Sequence, residues 1–490
     1  MKDAKDKELR PAPIPPTGEA EVEVSKLVKL LSDKYFKFGL VAFFYLLWTF
    51  WVGTWWLLLG LPVLYDSYVT KKVNWTFWKK REGPNNKIIE WIDALIFAVI
   101  AVTLINIFIF QNYKIPTGSM EKTLQIGDHL FVSKLKYGPK IPNTPLSFPF
   151  AQHTMPLTVN TKSYVEWIKW PYKRLTGITS VRNDDIVVFN FPEGDTVLVR
   201  FQAESYYSQL RRVAGEFEAR DKMFGNPILS FEQYMTMSRR HVLAHNEITV
   251  RPVDKRDNYI KRCIAIPGDT LLIEKTKIFI NGNPQQDLPR IQFRYHVQTD
   301  GQRINSRILE KLDIYKDDVF DMGGGWFEIP LIDSNVEELE KLGNVLSVEK
   351  RMAPQGFYDS EVFPHNERYP WNADNIGPLW IPKKDATIKI DTSNIFFYER
   401  IITAYEGNEL SIKNGEIYIN GSKTDSYTFK MDYYWMMGDN RHDSLDSRFW
   451  GFVPEDHIVG APRFVWLALN KEKPFPVNIR LKRMFRAAGR

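Results

Sequence analysis

Apolar and polar positions alternate in two regimes along this chain. From Phe38 to Tyr65 the sequence FGLVAFFYLLWTFWVGTWWLLLGLPVLY contains no charged residue. A helix rising 1.5 Å per residue over that run reaches about 42 Å, enough to cross a hydrocarbon layer of about 30 Å with tilt. A helix apolar on every side for this length does not suit a globular core. The run predicts one spanning helix over residues 37–66. A second run, Ala94–Phe110 (ALIFAVIAVTLINIFIF), has Asn106 as its only strongly polar residue and predicts a second span over 92–111. After residue 112 the pattern shifts to short runs rich in Val, Ile and Phe and bounded by Pro, Gly and Asp. Asp185–Phe191, Tyr259–Ile266 and Ile458–Leu469 read as strands. Helical periodicity is confined to about 203–222, 230–240 and 335–343. The fold class expected is a mainly β region behind two N-terminal transmembrane helices.

An internal repeat divides the β region. Leu271–Pro284 (LLIEKTKIFINGNP) and Leu410–Lys423 (LSIKNGEIYINGSK) each read as a hairpin with an Asn-Gly type turn. The stretch between them, 285–409, is expected to be a second lobe inserted into a β-rich core made of 112–284 and 410–490. The segment 1–36, with its RPAPIPPT run, is expected to be flexible and extracytoplasmic, and no cleavable signal sequence is expected in it. Residues 67–91 form a basic loop with Lys71, Lys72, Lys79, Lys80, Arg81 and Lys87. Cytoplasmic loops favour Lys and Arg, so two crossings would leave both Met1 and the large C-terminal region outside. One observation opposes this: Lys26, Lys29, Lys34 and Lys37, ahead of the first span, are also basic.

Composition narrows the function. The 490 residues are 44% apolar and 25% charged, with a net charge of +6, and no long basic block or RNA-binding signature is present. Nucleic acid is therefore not an expected partner. The single cysteine, Cys263, excludes internal disulfides and cysteine-based zinc sites, and neither a metal nor a cofactor is expected.

Three segments carry candidate chemistry. In Tyr113-Lys114-Ile115-Pro116-Thr117-Gly118-Ser119-Met120, a serine after glycine can present its hydroxyl and its backbone N–H together, as a nucleophile with an oxyanion hole requires. The same letters also fit a plain helix cap. In Tyr259-Ile260-Lys261-Arg262-Cys263, alternation places Lys261 opposite Ile260 and Arg262. If it points inward, burial lowers its pKa and makes it a base without any histidine. A solvated edge lysine is the alternative. The polar run 437–451 (MGDNRHDSLDSRFWG) offers Ser444 to hold a lysine amine, with Asp439, Arg262, Asp446 and Arg448 as charge-assisted braces.

Together these segments, with Arg182–Phe189 (RNDDIVVF) as a fourth, resemble the signature boxes of bacterial signal peptidase I, in the same order. The resemblance implies a membrane-bound serine endopeptidase that removes N-terminal signal peptides from exported preproteins after Ala-x-Ala-like small residues. It implies Ser119 as nucleophile and Lys261 as general base. It gives Thr117 and Ser119 the oxyanion hole, and Ser444 the orienting of the lysine. Arg262, Asp439, Asp446 and Arg448 fall on supporting polar positions. Tyr113, Ile115, Pro116, Met120, Tyr259 and Ile260 fall on substrate-binding positions. The implied setting is the bacterial cytoplasmic (inner) membrane, multi-pass, with the catalytic domain on the extracytoplasmic face. Implied partners are preprotein signal peptides and membrane lipid, with export machinery as a further candidate. The stretches 140–181, 193–258 and 285–409 are long for the family.

Two other patterns carry less. His442-Asp443-Ser444 has the letters of a triad, but adjacent residues cannot form a relay. His241 and His245 have helical metal-ligand spacing without an obvious third ligand. The basic tail with Arg480, Lys482, Arg483, Arg486 and Arg490 reads as solvated. A membrane scaffold without catalysis and a self-cleaving regulator are the competing functions. The former is opposed by the intact Ser119, Lys261 and Ser444, and the latter by the two apolar spans.

Overall fold

A computed structural model describes residues 31–75, 86–286, 288–470 and 473–488. Most of the expected flexible segment 1–36, together with Lys79, Lys80, Arg81 and Arg490, lies outside the described residues. The chain divides into two compact units, 1–98 and 99–490.

In the first unit the apolar run is not one helix. Helix α1 (Lys34–Val52) starts on Asp33, whose carboxylate accepts from the N–H groups of Tyr35 and Phe36, and ends at Gly53. Gly53 has φ of 65°, a left-handed conformation that glycine adopts without a Cβ penalty, and its N–H closes the helix on Thr49 and Phe50 carbonyls. A 3₁₀ turn (Trp55–Leu59), helix α2 (Gly60–Tyr65) and a π turn (Asp66–Thr70) then run back along α1. The Phe38 and Tyr65 rings meet edge to face at 5.2 Å, and the Tyr45 hydroxyl donates to the Leu57 carbonyl at 2.5 Å. A Cβ on Gly60 would stand 2.3 Å from the Tyr45 hydroxyl, so a larger residue there would push the Tyr45 ring aside. The run expected as one spanning helix over 37–66 is thus broken at Gly53 and folds back on itself as a helical hairpin. Helix α3 (Lys87–Phe108) begins five residues before the expected 92 and takes in Glu90 and Trp91. By length and composition α1 and α3 are the two described helices able to cross a membrane.

The second unit is built on an eight-stranded antiparallel sheet. Its strands are β1 (Phe110–Lys114), β2 (Asp128–Ser133), β3 (Ile186–Asn190), β4 (Asn258–Ala265), β5 (Tyr433–Met437), β6 (Val453–Pro454), β7 (Ile458–Ala468) and β8 (Arg486–Ala487). Their order is β1-β2-β7-β3-β4-β5-β6, with β8 on β7. Register shifts in the β2–β7 and β7–β3 pairings bend the strands, so the sheet curls. Ile115, Met120, Leu124, Leu130, Val188 and Val465 fill one core. Val187, Phe189, Cys263, Met436 and Trp450 fill another. The β4 strand is covered on both faces, which is why its second half reads as an unbroken buried run.

Both repeat copies fold alike. In each, a hairpin turns again at the Ile-Asn-Gly tripeptide, with Asn281 and Asn420 at φ of 53° and 52°, to add a short third strand. The stretch 285–409 is not one body. Residues 293–350 form a four-stranded sheet with its own core of Tyr295, Val297, Ile329, Leu331 and Leu339. Further along, Ile376, Leu379, Ile390 and Ile402 enter a core shared with Leu271, Ile273, Ile417 and Trp435. The basic tail is also not simply solvated: Arg483 pairs with buried Asp128 at 2.6 Å, and Arg486 lies in β8.

Candidate active site

The nucleophile candidate sits where β1 leaves the sheet. Ile115 N–H donates to the Asp128 carbonyl and Gly127 N–H to the Ile115 carbonyl, holding the exit against β2. At φ of 89°, Gly127 lies so close to Leu469 that a Cβ would stand 2.0 Å from its carbonyl oxygen. Thr117 is extended and exposed, and Gly118–Met120 form a single 3₁₀ turn. Ser119 therefore opens a turn, where backbone N–H groups lack an internal partner.

Lys261 comes from β4, opposite Val187 of β3. It is 3% exposed, and its Nζ donates to Ser119 Oγ at 2.5 Å. Burial pulls the amine down from its ordinary value to about 8; Asp446 opposes that shift and Arg448 adds to it. The inward orientation expected for Lys261 is what the structure contains, and the solvated-edge alternative is excluded by its burial.

Two buried ion pairs fix this contact. Asp439 accepts from Arg262 Nε at 2.8 Å and Nη2 at 2.6 Å, and from Thr123 Oγ1 at 2.6 Å. Arg262 sits next to Lys261 and Thr123 four residues after Ser119, so one carboxylate ties the two segments together. Arg262 also donates to the Asp184 carbonyl at 2.8 Å, which ties in the fourth box. Asp446 accepts from Arg448 Nε and Nη2 at 2.9 and 2.8 Å and from Gly438 N–H at 3.0 Å. Its attraction to Arg448 is strong enough to hold its carboxyl below the usual range despite complete burial.

Three residues without an assigned role in the sequence reading also matter. Asn440 N–H donates to the Ser119 carbonyl at 3.1 Å, and its Nδ2 donates to the Gly118 carbonyl at 3.2 Å. Gly438 passes so close that a Cβ would stand 2.5 Å from the Ser119 carbonyl oxygen and 2.2 Å from Ser444 Oγ. Thr123 is the third. The letters Gly438 and Asn440 stood in the polar run 437–451, but their partners were not legible, and Thr123 lies outside the quoted segments. Ser444 is buried beside Gly438, yet its hydroxyl makes no hydrogen bond, so the expected bond to Lys261 is not formed.

The six substrate-binding candidates separate. Pro116 and Tyr259 line a cavity of about 370 Å³. Ile115 and Met120 are almost fully buried in the core, and Tyr113 and Ile260 pack on its edge. A second cavity, about 380 Å³, is lined by Gly118, Glu121 and Asn440 on the other flank of the serine. His442 hydrogen-bonds Asp374 at 2.9 Å and Asp443 binds Arg294, so His442, Asp443 and Ser444 form no relay.

A serine hydroxyl against a dehydrated lysine amine is the equipment of an acyl-transferring hydrolase. The family model described as "Signal peptidase, peptidase S26" matches residues 88–324 and 423–467, more than half of the chain. The chain belongs to the signal peptidase, peptidase S26 family. It is a serine endopeptidase. Signal peptidase I of Buchnera aphidicola subsp. Schizaphis graminum is 22% identical over 456 residues, 91% of this chain and 98% of that protein. The enzyme of Haemophilus influenzae is 22% identical over 413 residues, 84% and 78% of the two chains. That of Helicobacter pylori is 32% identical over 109 residues, 20% and 37%. In this peptidase, the matched region includes Ser119 and Lys261 and, after the gap, the whole polar run around Asp439 and Asp446.

The braces predict two outcomes. Asp439→Ala leaves Arg262 as a buried unpaired charge and should destabilise the fold by roughly 3–5 kcal/mol, read as a lowered denaturation midpoint in detergent. Gly438→Ala should lower kcat on a preprotein, because the added methyl must displace the Ser119 carbonyl oxygen, 2.5 Å away.

Proposed function

We propose that this peptidase removes N-terminal signal peptides from exported preproteins by a Ser–Lys mechanism. The observation that carries the reading is the buried 2.5 Å contact between Lys261 Nζ and Ser119 Oγ. In the neutral form the amine lone pair accepts the Ser119 hydroxyl proton as Oγ attacks the scissile carbonyl. The resulting ammonium gives that proton to the leaving amine, and the mature chain departs. Lys261 then takes a proton from water, which attacks the acyl-enzyme; as the acyl–Oγ bond breaks the ammonium returns that proton to Ser119 Oγ, freeing the signal peptide and restoring the neutral amine. The Ser119 N–H and the Thr117 hydroxyl stabilise the oxyanion. Ser444, buried beside Gly438, is assigned the orienting of the amine in this reading.

The residues before the cut lie along Pro116 and Tyr259, with Tyr113, Ile115, Met120 and Ile260 behind them. Small side chains of the Ala-x-Ala kind before the cut follow from the resemblance of these segments to the family's signature boxes. The enzyme is anchored in the bacterial cytoplasmic membrane, where α3 crosses lipid after the basic loop and delivers the unit beyond Phe108 to the extracytoplasmic face. Preproteins meet it there as they leave the export machinery, the further partner this reading carries.

Lys261→Ala should lower kcat on a purified preprotein by about a hundredfold to ten-thousandfold, and Ser119→Ala should abolish turnover; full activity in either variant would contradict the dyad. With the amine at about 8, roughly one-tenth is neutral at pH 7. Because the neutral form is the active one, kcat/KM should rise with pH through a midpoint near 8. A preprotein with Phe in place of Ala at the residue before the cut should lose at least roughly tenfold in kcat/KM.

A further inference from the structure

We infer that the first apolar run enters and leaves the bilayer on the same face, so that Lys34 and Lys37 share a side of the membrane with Lys71 and Lys72. The inference rests on the membrane anchoring proposed above, but not on which face the catalytic unit occupies.

Distance decides between one span and a hairpin. In a continuous helix, Phe38 and Tyr65 would be separated by about 40 Å along the axis. Their rings are instead 5.2 Å apart. The contacts continue toward the tip, where Tyr45 reaches the Leu57 carbonyl and nests against Gly60. Ala42, Thr49, Val52 and Val69 are buried, while Phe43, Phe44, Leu47 and Phe50 face outward. That is the surface a lipid-embedded hairpin requires, with small or short side chains where the legs touch and large apolar ones outside.

The turn also meets the demand that lipid makes on a broken helix. Backbone polar groups at membrane depth need partners within the protein. The Gly53 N–H is taken by Thr49 and Phe50 carbonyls, and the Leu57 carbonyl by the Tyr45 hydroxyl. Trp55 and Trp56 at the tip are 68% and 80% exposed, in keeping with an aromatic end that reaches the opposite interface. At the open end, the Asp66 carboxylate accepts from the N–H groups of Lys72 and Val73 and from the Trp75 indole, fixing where the chain leaves.

Charge supports the same arrangement. A single crossing puts one of two basic clusters on the face that Lys and Arg avoid. A hairpin puts both clusters on one face and removes the conflict. Helix α3 is then the one net change of side between Lys34 and the catalytic unit.

The test uses single-cysteine variants in a Cys263→Ala background, probed in spheroplasts with a membrane-impermeant maleimide. Lys34→Cys and Lys72→Cys are expected to behave alike, both shielded in intact spheroplasts and both labelled after lysis. Exposed Ser411→Cys, in the catalytic unit, is expected to be labelled before lysis. If one of Lys34→Cys and Lys72→Cys reacts while the other is shielded, the hairpin is overturned. If those two agree but Ser411→Cys is shielded, the hairpin stands and the extracytoplasmic placement of the catalytic unit fails. A short bis-maleimide applied to a Phe38→Cys/Tyr65→Cys variant in the same Cys263→Ala background and membranes should join the two positions within one chain; no intramolecular cross-link would overturn the hairpin independently.

Discussion

The architecture of the catalytic unit turns on keeping a lysine amine dry against a serine hydroxyl. An ammonium ion loses several kcal/mol when removed from water without a partner. Lys261 avoids that cost by holding its proton less tightly, and the proposed mechanism uses the same loss to make it a base near neutral pH. The serine and the lysine lie 142 residues apart in sequence. Neither the local 3₁₀ turn nor strand β4 could fix a 2.5 Å contact alone.

The fixing is done by full charges buried just beyond the amine. Arg262 and Arg448 are each paired with a carboxylate that is itself inaccessible, Asp439 and Asp446. Asp439 joins strand β4 to the 3₁₀ turn that carries Ser119, through Thr123. Asp446 shapes the loop that brings Gly438 and Asn440 under the Ser119 carbonyl. Buried pairs of this kind are poor sources of net stability, but they are costly to break one partner at a time. They therefore define a geometry more than they strengthen a fold, which is what a reacting pair of atoms needs.

Much of this was readable from the residues. Ile186–Asn190, Asn258–Ala265 and Ile458–Ala468 are dense in β-branched and aromatic side chains and stop at turn residues, so local preference and tertiary packing agree. Asp439 lies in a long, specific box, whereas Ser119, Lys261 and Arg262 gain their weight only from occurring with it in the family's order. Partners were harder. Nothing in the sequence pairs Asp439 with Thr123, and the buried Ser444 hydroxyl is without the bond expected of it. Hydropathy misled most at Gly53. An apolar run looks the same whether it crosses lipid once or folds back, and the deciding facts are one glycine conformation and a tyrosine reaching across to Leu57. The stretch 285–409 shows a related limit. A repeat marks where similar hairpins lie, but not which core the intervening apolar residues join.

The most direct test of the account is the ionisation of the amine itself. The ε-carbon resonance of ¹³C-labelled lysine, assigned to Lys261 by its loss in Lys261→Arg, can be followed through a pH titration of the detergent-solubilised enzyme. A midpoint near 8 is expected. A midpoint near 10.4, the value of a lysine in water, would mean the amine is hydrated and charged, and the chemistry assigned to it would not stand.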